Sequence, residues 1–456
     1  MGVLERWSIA GVVAVGLTVS GCGTGAAEPP HVVLVMLDTL RADHLHCYGY
    51  ERETSPVLDA LARESVLFER VLSTACATGP SQMSLMTGTL PAVHGITNGG
   101  PGWPSPDLPV LAEVLADAGY RSVAFADGGI LKPDYGFDRG FDLFESEYEP
   151  FDRKLDRLLG WLDGASEAPT FLFVHTYGIH APYVPLPGHD LFSDPNYDGP
   201  VARVQRPLEQ AIRQGGQSDL TALQLAFWRS FRVADLAPAD TAHLRDLYDG
   251  SIHGVDAQLG RLFDRLEREG WLDDGWLVVT SDHGEAFGEH GSYQHRQPYQ
   301  EELHVPLLVR PPGGVEGRRL SSWRSQLDLA PSLLSWLGLD VPGTMEGRPF
   351  ELDPQRDHPR PAFAAWPKDQ VGVLLDPPLK LITRERGAVE LYDLDVDEQT
   401  NRATVDPAGL ERLLGRLEAR REAAAALLER VGPPLRPNDA RSPERIEELR
   451  ALGYDG

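Results

Sequence analysis

Two short segments, far apart in the chain, carry the residue types that chemistry on an anionic ester would need. The first reads Thr78-Gly-Pro-Ser-Gln-Met-Ser-Leu-Met-Thr-Gly88 and runs on to Leu90-Pro-Ala-Val-His-Gly95. The second reads Thr280-Ser-Asp-His-Gly-Glu285 and runs on to Gly288-Glu-His-Gly291. Thr78 offers a hydroxyl just ahead of a helix start; Asp282 and His283 offer a carboxylate and an imidazole just after an apolar strand; Asp38 closes another apolar run. Together they look like a nucleophile held beside a divalent metal, which lowers the pKa of a hydroxyl and polarises an ester oxygen. Each piece also has a plainer use: Thr78 as a helix cap, Asp38 as a strand-end cap, Asp-His-Gly as a turn.

The elements that must position these residues alternate. His31 to Leu37 is a continuous apolar run, as expected of a strand buried on both faces. Thr54-Ser55-Pro56 opens a helix, with a capping hydroxyl and a proline suited to the first turn. Further helices are expected over 108–118, 244–269 and 326–337, and strands over 122–126, 171–175, 276–280 and 304–309. Such alternation implies an α/β fold with a largely parallel sheet covered on both faces, where ligands bind beyond the carboxyl ends of the strands. Asp38, His175 and Asp282 each stand at such an end. Residues 185–240, with a helix over 220–232, form an insertion that reads as a lid, a substrate wall or decoration. After residue 350 the strands 371–375, 379–383 and 389–392 suggest a small antiparallel sheet, followed by a charged helix over 410–431 and a short one over 442–454.

The chain has 456 residues, 42% hydrophobic and 24% charged, enough for a large domain and a smaller one. A formal net charge of -26 argues against nucleic acid as a partner. Residues 1–22 read as a signal: Arg6, an apolar stretch shorter than the roughly 20 residues a spanning helix needs, then Val19-Ser20-Gly21-Cys22. This resembles a bacterial lipoprotein signal, which implies export and a lipid on Cys22 that ties the chain to the membrane of the cell envelope. A tether over 23–30 follows. Cys47 and Cys76 could pair or remain two separate thiols.

The ordered set Val35-Met-Leu-Asp38-Thr-Leu-Arg41-Ala-Asp43, Pro80-Ser-x-x-Ser-Leu-x-Thr-Gly88, Pro91-x-x-His-Gly95 and Ser281-Asp-His-Gly-Glu285 resembles the sulfatase family of the alkaline phosphatase superfamily. So do Asp328-Leu-Ala-Pro331, Glu390-Leu-Tyr-Asp-Leu394 and Leu449-Arg-Ala-Leu-Gly-Tyr454. The resemblance spans roughly 31–456 and implies a catalytic α/β domain over 31–349 with a C-terminal subdomain over 350–456. It implies one divalent metal held by Asp38, Thr78, Asp282 and His283, a set that suits Ca2+, Mg2+ or Mn2+, with Zn2+ as the borderline case. Its substrate would be a small anionic ester, a glycan or a lipid headgroup. His180 and His295 become candidate substrate contacts or a general acid; Lys132, Arg41 and Arg296 become possible anion contacts, with Arg41 more suited to an ion pair with Asp43, and His94 to a structural role.

The chain departs from the family pattern in three places. Where a Cys or Ser is converted to formylglycine, Thr78 stands; where an Arg follows the Ser, Gln82 stands; where a second Asp follows the first, Thr39 stands. A formylglycine hydrate expels sulfate by collapsing to an aldehyde, a route closed to threonine, whereas a phosphothreonine can be attacked by water at phosphorus. Thr78 therefore moves the expectation toward phosphate esters. A sulfuric ester hydrolase, a phospho-headgroup transferase and a non-catalytic surface-binding lipoprotein are the other readings.

Overall fold

The computed structural model describes residues 29–97, 102–165, 168–214, 236–366, 371–384 and 387–435. The signal segment, most of the tether, and the helices expected over 220–232 and 442–454 lie outside them.

The apolar run forms β1 (Val32–Leu37), buried along its whole length. Val32, Leu34 and Met36 enter one hydrophobic cluster, while Val33, Val35 and Leu37 enter the other. That alternation is why the run needs apolar residues on both faces. Next come β2 (Val66–Leu72), β3 (Arg121–Phe125), β4 (Leu143–Glu145), β5 (Thr170–Thr176), β6 (Trp276–Thr280), a small hairpin of β7 (Ala286–Phe287) and β8 (Tyr293–Gln294), then β9 (His304–Arg310), β10 (Arg318–Leu320) and β11 (Arg324–Ser325). The main sheet runs β10-β2-β9-β6-β1-β5-β3-β4, with β11 also on β2. It is largely parallel, as the alternation predicts; β9 is the exception, antiparallel to β2 and β6. Between β6 and β9 lie short turns, the hairpin and one helical turn (Gln300–Leu303); with no long helix to carry the chain back across the sheet, it returns antiparallel.

The elements differ from their sequence reading mainly at the ends. The helix after Ser55 is α1 (Pro56–Ala62), but the Ser55 side chain does not cap it. Asp256, from the long helix Pro238–Arg268, accepts the Val57 and Leu58 N–H groups at 2.8 and 2.9 Å instead. A tertiary carboxylate replaces the local hydroxyl, and such a cap leaves no local sequence signal. α2 (Thr78–Thr87) begins at Thr78 itself rather than after it. It is followed by α3 (Pro91–His94), α4 (Leu111–Asp117), α5 (Phe151–Leu162) and α6 (Pro200–Gln214). The helix expected over 326–337 is a 3-10 turn, Gln326–Asp328, leading into Leu329–Trp336.

The C-terminal strands form an antiparallel sheet of β12 (Ala362–Trp366), β13 (Val371–Asp376), β14 (Leu379–Thr383) and β15 (Val389–Asp393). Helix Pro407–Val431 covers one face through Leu413 and Leu417, while Val373, Leu375 and Ile382 pack with Leu72 and Leu303 of the large domain. Cys47 and Cys76 are separate free thiols. Among the described residues, no helix is long and apolar enough to cross a membrane.

His94 is structural, as expected. It is fully buried, with Nδ1 accepting from the Ile96 N–H at 3.1 Å and Nε2 3.0 Å from Ser84 Oγ. Burial lowers its pKa to about 3. The unfolded chain takes up this proton near pH 6.5 and the folded one only near 3, so stability is lost as pH falls through that window. Urea unfolding should show a slope of roughly 1.4 kcal/mol per pH unit from this group, absent in His94→Asn. Equal slopes in the two proteins would contradict this.

Candidate active site

Three strand ends and one helix start converge. In the register of the sheet Met36 lies beside both His175 and Thr280, so the residues that follow these positions leave the sheet together. Asp38, His175, Asp282, His283 and Thr78 are all fully buried. The Thr78 hydroxyl donates to Asp38 Oδ2 at 3.1 Å and lies 3.4 Å from His283 Nε2. One ligand atom each from Asp38, Asp282 and His283 lies within 4.8 Å of the others. All four residues expected to hold a metal are therefore in one place.

The scaffold around them is specific. Thr39, where the second Asp was missing, adopts a left-handed backbone (φ 58°) and aims its N–H at Asp282 Oδ1, 3.2 Å away. The Tyr248 hydroxyl donates to Thr39 O at 2.7 Å and accepts from the Arg41 N–H at 2.9 Å. Ser81 donates to the Asp282 carbonyl at 2.6 Å, while Gln326 Nε2 holds the Ser281 carbonyl at 2.5 Å. The Ser81 N–H donates to Ala77 O within the helix, and its side chain positions the Asp282 loop. His283 Nδ1 sits 2.9 Å from the Gly284 carbonyl, which fixes the Nδ1–H tautomer and turns the Nε2 lone pair toward Thr78.

Gly284 is required by proximity: a Cβ there would meet the Glu301 carbonyl at 2.1 Å. Gly284→Ala should shift the Asp282–His283 loop and cost about 2 kcal/mol in thermal or urea unfolding, with a larger proportional loss of activity than of folded protein. An alanine variant of wild-type stability would refute this.

His180 and His295 lie beside this centre. The His283 and His295 rings are 4.5 Å apart and the His295 and His180 rings 5.2 Å apart. His180 Nδ1 is 2.7 Å from the Ala181 carbonyl, so it carries the proton, and its buried Nε2 has no protein partner. Burial, aided by His295, lowers the His180 pKa to about 4. His295 Nδ1 lies 3.4 Å from Glu285 Oε1, and burial lifts Glu285 to about 7. Arg41 is engaged by Asp43 at 2.7 Å and Glu289 at 3.1 Å, so it is a structural ion pair and not an anion contact. Arg296 is exposed next to His295, and Lys132 lies half-buried in the loop after β3.

Several participants had no assigned role in the sequence. His175 Nε2 stands 3.3 Å from Asp38 Oδ2, and burial lowers its pKa to about 3. Its position at a strand end was the available signal. Glu285 stands in the second motif, and Tyr248 opens the stretch Tyr248-Asp-Gly-Ser-Ile-His-Gly-Val-Asp256, which also resembles the family; what they and Gln326 do becomes visible only once the chain is folded.

The residues fit a cation. Asp38 Oδ1 and Asp282 Oδ2 are buried with no hydrogen-bond partner. Burial, then the nearby Asp282 charge, raises Asp38 well above the usual carboxylate range. Two buried carboxylates, a hydroxyl and an imidazole lone pair are an oxygen-rich donor set for a divalent ion, which would remove that repulsion.

A buried hydroxyl beside two carboxylates and an imidazole, at the carboxyl edge of a largely parallel sheet with a small antiparallel sheet appended, is an arrangement suited to an α/β ester hydrolase. Residues 30–339 match the sulfatase family, and the chain belongs to it; it is a sulfatase-family hydrolase. N-acetylglucosamine-6-O-sulfatase of Bacteroides thetaiotaomicron is 22% identical, covering 94% of this chain and 91% of that protein. Multifunctional alkaline phosphatase superfamily protein PehA of Trinickia caryophylli is 26% identical over 70% and 76% of the two chains. Phosphonate monoester hydrolase of Agrobacterium radiobacter shares the fold, with a TM-score of 0.69 at 23% identity over 86% of this chain and 96% of its own.

Proposed function

We propose that the chain is a metal-dependent phosphoesterase in which Thr78 takes the place of formylglycine. The observation that carries this is the Thr78 hydroxyl, 3.1 Å from Asp38 Oδ2 and 3.4 Å from His283 Nε2 at the first residue of α2. Asp38, Thr78, Asp282 and His283 would hold the ion, which when bound polarises the ester and lowers the Thr78 pKa. The Thr78 proton passes to the Asp38 carboxylate it already faces, and Thr78 Oγ forms a bond to phosphorus as the ester oxygen leaves. His180 is held with Nε2 as an acceptor, so it gains a proton before giving one to the leaving oxygen. The negative charge of a bound ester favours that gain. Water then attacks phosphorus, giving a proton to the now neutral His180; the phosphorus–Thr78 bond breaks, and Asp38 returns its proton to Thr78 Oγ.

A sulfuric ester is the second reading, motivated by the named sulfatase relatives. The deciding experiment is peptide mass spectrometry of metal-loaded protein incubated with p-nitrophenyl phosphate, a phosphodiester and p-nitrophenyl sulfate. A phosphate adduct on Thr78 supports the proposal; turnover of the sulfate alone overturns it. We also propose export with a lipid on Cys22, tested by the mass of the mature N-terminal peptide.

A further inference from the structure

Beside His180 lies a cavity of about 300 Å³. His180 and Tyr177 form its wall nearest the metal ligands; Tyr148, Val184, Leu186 and Pro187 line the remainder. We propose that this cavity receives the leaving-group side of the ester and is built for an uncharged, ring-bearing alcohol. The inference rests on the phosphoesterase reading for its reaction but not for its binding chemistry.

The first argument is adjacency. His180 lines the cavity while its ring contacts His295, which in turn contacts His283. His180, in the cavity wall, and His295 behind it are therefore the two imidazoles that stand between the cavity and His283.

The second is shape and polarity. The Tyr148 and Tyr177 rings, 6.3 Å apart at 43°, share the lining with Pro182, Val184, Leu186 and Pro187. Flat rings against apolar walls suit an aromatic ring or the apolar face of a saturated one. The loop passes close over Val255 only because residue 178 is a glycine: a Cβ there would meet Val255 Cγ2 at 2.7 Å.

The third is charge. Among the described residues of the lining, Arg153 is the single cationic side chain, against Asp127, Glu149 and Asp152. Lys154 lies beneath, 3.3 Å from Asp127 and 3.8 Å from Glu149. The described lining thus presents no excess of positive charge, and a multiply sulfated sugar or a nucleotide would meet acids where it needs cations.

The test is equilibrium binding of 2-naphthol, the alcohol such an ester would release, to the full chain by ligand-observed NMR. Wild type should bind saturably, and Val184→Asp and Tyr148→Ala, each checked for a cooperative thermal transition, should weaken binding at least ~10-fold. The ratio of kcat/KM for aryl over methyl phosphate esters should fall by a similar factor. Absence of saturable binding in wild type, unchanged affinity in both folded variants, or tighter binding of a sulfated disaccharide than of 2-naphthol would overturn the proposal. Naphthol binding without turnover of any phosphate ester would sink the phosphoesterase reading and leave the cavity assignment standing. Turnover of methyl esters without naphthol binding would do the reverse.

Discussion

Asp282→Asn is expected to make the metal-free protein more stable and the metal-loaded protein less so. Without metal, the Asp38 and Asp282 carboxylates share one dry space, and each has an oxygen with no partner. Burial and the Asp282 charge together push the Asp38 pKa upward, so neighbouring charge already costs the folded state. Asparagine keeps an oxygen for the Thr39 and His283 N–H groups, which now lie 3.2 and 2.9 Å from Oδ1, and removes the charge. In a chelator at pH 8 the variant should gain about 1–2 kcal/mol, because one buried like-charge contact is gone. Divalent ion at a hundred times its Kd should stabilise wild type by about 2.7 kcal/mol and the variant by much less. Turnover should fall more than about 100-fold, the upper range seen when even supporting groups around a metal are lost. Thermal melts with and without chelator check all three signs. A variant less stable than wild type in chelator would show that Asp282 is a structural acceptor first and that the carboxylate pair is not poised for a cation.

What the sequence disclosed about this centre follows from what a local pattern can encode. Asp38, Asp282 and His283 stood out because an apolar run needs no polar residue at its end, and because strand ends are where sheets of this kind bind ligands. β2 was illegible for the opposite reason: Glu69-Arg70 interrupts its apolar run, where a register shift lies between Phe68 and Val71. The antiparallel placing of β9 depends on what is missing between it and β6, which alternation alone does not report. Thr39 had looked like the loss of a ligand. In the folded chain its backbone N–H supports Asp282, a contribution that residue type does not determine. Gln326 and Asp256 act across the sequence, on Ser281 and on α1, and only the fold brings them there.

Lys154→Met is expected to be among the most destabilising single changes outside the centre itself, at about 3–5 kcal/mol, because it would leave a buried carboxylate uncompensated. Lys154 is completely buried on α5, donating to the Ala126 and Glu147 carbonyls at 2.7 and 2.8 Å and lying 3.3 Å from Asp127 Oδ1. Asp127 in turn accepts from the Thr176 hydroxyl at 2.9 Å and the Tyr177 N–H at 2.7 Å, at the root of the loop that carries His180. Burial raises the Asp127 pKa even with the lysine present, so without it the carboxylate must either take a proton or draw in water. Either response loosens the Thr176–Tyr177 turn, and activity should fall along with stability. The double variant Lys154→Met/Asp127→Asn removes both charges and should recover a large part of the lost stability, though not the Tyr177 alignment. Urea unfolding of the two single variants and the double variant measures the coupling. If the two losses simply add, Lys154 contributes through packing and its two carbonyl bonds, and the buried ion pair does not hold the His180 loop.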